Sequence, residues 1–248
     1  MCLVRGVVGE SAHHSSGGMY FPVMTSRCKY RLLDEYKNGG ENGIAASAVA
    51  SLNTFSGPHF FGLDEMHMIG HGLAKMLFTL FQPVKKNDMS NDRDKRRYNT
   101  TFDYPFSLDD LEIKSVGNDM LLSRPNIPLS FFHGNWDNIE KHQSARAVDW
   151  MDFLLFVVPT LVIPSVHLSI AREKLNNLII SVHLCLSWEL SPSDILFIKE
   201  SISSFQAFLI THILQGTLSR RCFTINIHYL GHIVFMIGRL GPLPSYSC

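Results

Sequence analysis

Apolar positions recur at helical spacing along much of this chain. From Asp64 onward, Ile69, Leu73, Met76, Leu77 and Leu80 fall at i, i+4, i+7, i+8 and i+11, the stripe of an amphipathic helix. Asp64 stands where an N-cap carboxylate accepts from the first free backbone N–H groups. Ile195, Ile198, Ile202, Phe205 and Leu209 keep the same spacing, and Ser191-Pro192-Ser193-Asp194 before them reads as a helix stop and restart, with Pro192 suited to a first helical position. The pattern predicts an αα-hairpin over residues 178–189 and 192–213, then a last helix from about Asn226 to the Gly241-Pro242 stop. The last hundred residues should therefore be mainly helical.

Elsewhere the pattern is weaker. Residues 1–60 mix glycines, a short strand candidate at 19–23 and the loop-like NGGENG of 38–43, which predicts an irregular or β-containing zone. Residues 148–170, VDWMDFLLFVVPTLVIPSVHLSI, contain an uncharged run of 14 residues from Phe153 to Val166. That is shorter than the roughly 20 residues a membrane-spanning helix needs, and Pro159 and Pro164 interrupt it, so a buried core segment is expected. Residues 84–127 form a polar middle, the one linker candidate. Its KKNDMSNDRDKRR sets six basic residues (Lys85, Lys86, Arg93, Lys95, Arg96 and Arg97) among three acids. A solvated loop is the plain expectation, and a loop contacting DNA phosphates the sharper one.

Composition adds limits rather than direction. A chain of 248 residues with 46% hydrophobic content can bury a substantial core. Lys plus Arg and Asp plus Glu both number 22, so no global field selects nucleic acid and any such contact must be local. Cysteines at 2, 28, 185, 222 and 248 form no C-x-x-C pair and are odd in number, which argues against a disulfide framework and for a reducing, intracellular compartment. The N-terminus has too short an apolar run for a secretory signal.

Candidate chemistry gathers in GLDEMHMIGHG, residues 62–72. Asp64, His67 and His71 lie three and four residues apart, intervals that bring side chains to one helix face, where a carboxylate and two imidazoles could address a metal ion or a phosphate. At 100° per residue all three, together with Phe78, project opposite the Ile69, Leu73 and Leu80 stripe, so a polar helix face with an N-cap aspartate is the competing expectation. Met68 stands where a zinc protease of the H-E-x-x-H type carries its glutamate, which disfavours that activity. Neither G-x-S-x-G nor G-x-x-x-x-G-K-[ST] occurs. His228 and His232, four apart among Leu230, Ile233, Val234 and Ile237, read as core or capping histidines, because a pair without cysteines or acids rarely makes a metal site.

Several segments taken in order carry a resemblance: GIAASAVASLNTFSGPHFFGLDEMHMIGHG (43–72), SRPNIPLSFFHGNWDN (123–138), ARAVDWMDFLLFVVPTLVIPSV (145–166), LCLSWELSPSD (184–194) and INIHYLGHIVFMIGRLGPLPSYSC (225–248). Together they resemble successive blocks of eukaryotic CACTA-type DDE transposases. The most specific pieces are the D-x-x-H of Asp64 to His67 and the terminal N-x-H-x-x-x-H with LGPL and YS. The resemblance implies an α/β remnant of an RNase H-like core in residues 1–83, a variable polar loop over 84–127, and a predominantly helical region over 128–248 that carries the family's helical insertion. It also implies a nuclear location, transposon-end DNA as partner, and a pair of magnesium or manganese ions held by three acids, which flank the scissile phosphate in two-metal catalysis.

The chain departs from that pattern at its chemistry. The family's first acids precede a Cys-rich knuckle, of which Cys2 and His14, beside His13, look like a remnant too poor in ligands to hold zinc. Its last acid follows the LGPL and YS block, beyond Cys248. The expectation is a transposase-derived protein inactive in this form, with Asp64 and His67 as the surviving signature and His71 incidental. Two other classes are a non-catalytic DNA- or protein-binding module and a metal-dependent enzyme centred on Asp64, His67 and His71.

Overall fold

A computed structural model of the chain describes residue 2, residues 10–11, 19–21, 29–39, 44–83, 105–128, 137–138 and 145–246. Strands β1 (Glu10–Ser11) and β2 (Met19–Tyr20) pair antiparallel, Glu10 opposite Tyr20, and form the only ladder among the described residues. Everything else regular is helical. Helix α1 (Leu33–Asn38) is followed by 3₁₀ turns at Ala48–Ser51 and Gly57–Phe60. A π-helical segment, Met66–Ala74, then runs into α2 (Lys75–Phe81). Next come α3 (Asp110–Ser123) and α4 (Ala147–Asp152), the latter continuing as a second π-helical segment, Phe153–Val162. Helices α5 (Ser169–Cys185), α6 (Pro192–Leu214), α7 (Ile225–Leu230) and α8 (Ile233–Leu240) complete the order.

The expected α/β remnant of an RNase H-like core is thereby overturned. Among the described residues the regular structure is helical, and a two-residue ladder is no catalytic sheet. From Asp64 onward the physical reason lies in the apolar spacing of three and four, which seats a helix and leaves a strand with both faces mixed. One hydrophobic cluster joins Cys2 and Phe21 to residues as distant as Met236 and Leu243, and a smaller one gathers Tyr36, Ile44, Ala50 and Phe55.

Local chemistry explains the helix limits. Ser191 Oγ accepts from Asp194 N at 3.2 Å while Asp194 Oδ2 accepts from Ser191 N at 2.8 Å, a reciprocal capping box ahead of Pro192. The buried stripe of Ile198, Ile202, Phe205 and Leu209 follows as the spacing predicts. Its hairpin partner α5 begins nine residues earlier than expected, at Ser169, because Ala171, Leu175, Leu178 and Val182 extend the apolar face through the polar run Arg172 to Asn177. Helix α3 lies inside the polar middle. Asp109 Oδ1 accepts from Leu111 N and Glu112 N, Glu112 Oε2 accepts from Asp109 N at 2.7 Å, and Ile113, Val116 and Met120 turn inward. The last predicted helix is two, broken at Gly231, and α8 stops at Gly241, whose φ of +88° favours glycine.

The apolar segment after Asp149 is buried on one side, with Leu154, Val157, Val158 and Val162 inside and Phe156 outside. Taken as one continuous helix, Ala147–Ser165 spans 19 residues and is long and apolar enough to cross a bilayer by length and composition. In this fold that burial is against protein, on α5 and the first π-helical segment. Phe78, expected on the polar face, is buried against Trp150 and Phe153, ring centroids 5.2 and 6.0 Å away. Helix α2 is enclosed nearly all round, Met76, Leu77, Leu80 and Phe81 being buried as well, so it has no polar face for Phe78 to occupy.

Two glycines permit the closest contacts of the first π-helical segment. A Cβ on Gly70 would lie 2.5 Å from the carbonyl oxygen of Ala147, and one on Gly72 the same distance from the Asn226 side chain. Gly238, exposed on α8, has nothing near that position. Gly70→Ala is therefore expected to cost about 1–3 kcal/mol as an overpacked contact. Gly238→Ala should stabilise the chain by up to about 1 kcal/mol through helix propensity. Denaturant unfolding of both variants checks the contrast.

Candidate metal centre

Cys2, His228 and His232 meet inside the main core. His228 Nε2 lies 3.3 Å from His232 Nε2, which in turn lies 3.3 Å from Cys2 Sγ, and the three donor atoms fall within 4.8 Å of one another. All three residues are buried. The two histidines are placed by α7 and the turn after it: Gly231 N donates to His228 O and His232 N to Tyr229 O, a tight turn that brings the two rings together, and Met236 N donates to His232 O at the start of α8. Gln206 of α6 donates to Ile227 O at 2.7 Å, and Asn226 packs on Gly72, which together fix α7. Cys2 is held separately. Arg31 Nε donates to Cys2 O at 3.0 Å while its Nη1 pairs with Glu35 at 3.3 Å, tying the cysteine to α1, and Phe21, hydrogen-bonded to Phe223 O, lies against the His228 ring.

This donor set suits one soft or borderline ion. Zinc bonds of about 2.3 Å to sulfur and 2.0–2.1 Å to nitrogen put tetrahedral donors about 3.4–3.6 Å apart, close to the two 3.3 Å separations that His232 Nε2 makes with Cys2 Sγ and His228 Nε2. Hydrogen bonding alone fits less well. A ring nitrogen presents one in-plane direction, occupied by a proton or a lone pair, yet His232 Nε2 faces both sulfur and nitrogen. A metal ion satisfies both contacts at once. Elsewhere in the core, desolvation pushes the Cys185 thiol up to about 12 and the Cys222 thiol higher still, as befits inert sulfur.

Histidines 228 and 232 are thus core residues, as their neighbours suggest, but with a cysteine in contact. The partner stands at the other end of the sequence, where no spacing rule reaches it. The proposed pairing of Cys2 with His14 falls partly outside the described residues, since His13 and His14 are not among them, as are not Lys85, Lys86, Arg93, Lys95, Arg96 and Arg97 of the basic loop.

Asp64, His67 and His71 lie at the protein surface, apart from that cluster. Asp64 does cap the helix: its Oδ1 accepts from Met66 N at 2.8 Å and its carbonyl from Met68 N at 2.9 Å. Its Oδ2 is hydrogen-bonded to His67 Nδ1. His71 follows one turn later, its ring centroid 6.4 Å from that of His67. Partial desolvation works to raise the Asp64 pKa, but hydrogen bonds from His67, Met66 N and His67 N outweigh it and hold the carboxyl below the usual range. The transposase resemblance implies a two-ion magnesium or manganese centre near Asp64. Hard cations of that kind want several oxygen ligands, and among the described residues no cluster of acids converges on Asp64.

Comparison with known protein families, with characterised proteins and with solved structures finds no match to this chain. The transposase resemblance rests on its sequence blocks alone.

His67→Ala removes the first of the contributions that lower the Asp64 pKa, so the carboxyl should titrate at higher pH in that variant. Carbon-detected NMR of the Asp64 carboxyl follows this directly, and an unchanged midpoint would mean the backbone N–H groups suffice.

Proposed function

We propose that this chain is a non-catalytic, transposase-derived module whose helices are clamped by a structural zinc ion at Cys2, His228 and His232. The convergence of those three buried donors is the observation that carries the clamp. One thiolate and two neutral imidazoles bind Zn²⁺ in preference to Mg²⁺ or Mn²⁺, which favour oxygen. A further donor, from the protein or from water, completes the tetrahedron. Because Cys2 and α7 come from opposite ends of the sequence, metal binding closes a long loop and contributes to folding rather than to turnover.

Support for a binding role comes from Asp64. Its carboxylate is engaged by two backbone N–H groups and an imidazole of its own helix, a capping arrangement that leaves it poorly disposed to bridge two cations. Descent from a DNA transposase, and DNA as partner, rest on the sequence blocks.

After zinc supplementation and exhaustive dialysis to strip exchangeable surface metal, the protein should retain one equivalent of zinc by elemental analysis, and Cys2→Ser or His232→Ala should retain none. At free zinc a hundredfold above Kd, the ion adds about 2.7 kcal/mol, an upward Tm shift of about 5–10 °C for a chain of this size. Equal Tm with and without chelator would overturn the clamp. Catalysis is tested apart from it: transposon-end cleavage in magnesium or manganese should be absent, and cleavage abolished by Asp64→Ala would refute the non-catalytic reading.

A further inference from the structure

The outward face of the helix that starts at Asp64 holds a second, different arrangement of donors. His67 has a side chain 82% exposed, yet it is not free to choose its tautomer, because Asp64 Oδ2 engages Nδ1. The carboxylate favours a proton on Nδ1, which leaves the Nε2 lone pair pointing to solvent. That is the carboxylate–histidine pairing by which proteins orient metal-binding imidazoles and raise their basicity. His71, also exposed, presents its ring on the same side one turn later. Both rings stand on a helix whose opposite face, Ile69 and Leu73, is fully buried, so their Cα positions are fixed while the side chains can rotate. With centroids 6.4 Å apart, a small rotation brings both nitrogens to one ion at the 2.0–2.1 Å of a metal–imidazole bond.

We propose that His67 and His71 form an open, solvent-facing site for a borderline divalent transition metal such as Ni²⁺, Zn²⁺ or Cu²⁺, with Asp64 as the orienting carboxylate. Asp64 is not a ligand in this arrangement, since its two oxygens are taken up by the helix N–H groups and by His67. Two protein ligands leave most of the coordination sphere to water or to the donor atoms of a bound molecule. The site is therefore exchangeable, unlike the enclosed cysteine and histidine set, and it does not depend on that set.

Calorimetric titration of the untagged full chain with Ni²⁺ tests this. His67→Ala and His71→Ala should each weaken Ni²⁺ binding at least tenfold. Asp64→Asn, which retains a capping oxygen, should weaken it by roughly 10–100-fold, the usual effect of losing a partner behind a ligating histidine. All three positions are exposed, and far-UV circular dichroism confirms that the variants remain helical. Cys2→Ser should leave this binding unchanged. Ni²⁺ affinity unaltered in His71→Ala overturns the proposal, as does loss of binding in Cys2→Ser alone, which would assign the ion to the buried donors.

Discussion

The close approach of two helix starts to Gly70 and Gly72 is the constraint on which the rest of the architecture depends. At both positions a side chain would occupy space already held by a neighbour, backbone at Ala147 in one case and the Asn226 amide in the other. Glycine removes that obstacle, so α4 and α7 can sit on the same helical segment rather than be held off by a layer of side chains. The consequences spread from there. Trp150 and Phe153 reach Phe78 from α4 and its continuation, and α7 delivers His228 to the position where His232 and Cys2 meet it.

That helical segment has two faces with separate duties. Ile69 and Leu73 belong to the core, while His67 and His71 look outward and Asp64 closes the N-terminus. The contrast between the two donor sets follows from burial. A thiolate placed in the core is costly unless a cation or a hydrogen-bond donor compensates it, and Cys2 has imidazoles on one side and the Arg31–Glu35 pair holding its backbone on the other. Exposed imidazoles carry no such penalty. Their occupancy is set by the metal and competing ligands in solution, so one set suits permanence and the other exchange.

Legibility in the sequence tracked the range of the interaction. The capping box at Ser191, the Pro192 start and the Ile198 to Leu209 stripe are local, and the structure places them where spacing does. So is the exposure of His67 and His71 opposite Ile69 and Leu73. An amphipathic reading failed where the helix is enclosed: α2 buries Met76, Leu77, Phe78, Leu80 and Phe81, so the polar face assigned to Phe78 does not exist there. Helix α3 was hidden by its polar surroundings, although Asp109 and Glu112 form a cap that can be read directly. The RNase H-like core came from resemblance and the β-containing zone from the strand candidate at 19–23, of which the described residues show a two-residue strand, Met19–Tyr20. Cys2 with His228 and His232 was the least legible, because only the folded chain reveals that contact.

The blocks behind the transposase resemblance also meet in space. FGLDEMHMIGHG contributes Gly70 and Gly72, ARAVDWMDFLL contributes Ala147, and INIHYLGH contributes Asn226 and both core histidines. Three segments far apart in sequence thus share one close-packed junction. A junction of this kind restrains residues through steric fit: the glycines must stay small, and the asparagine and the alanine carbonyl must reach them. Such demands shape sequence whether or not a neighbouring carboxylate performs chemistry. The packing at Gly70 and Gly72 thus supplies a physical reason for these words that is independent of DNA cleavage.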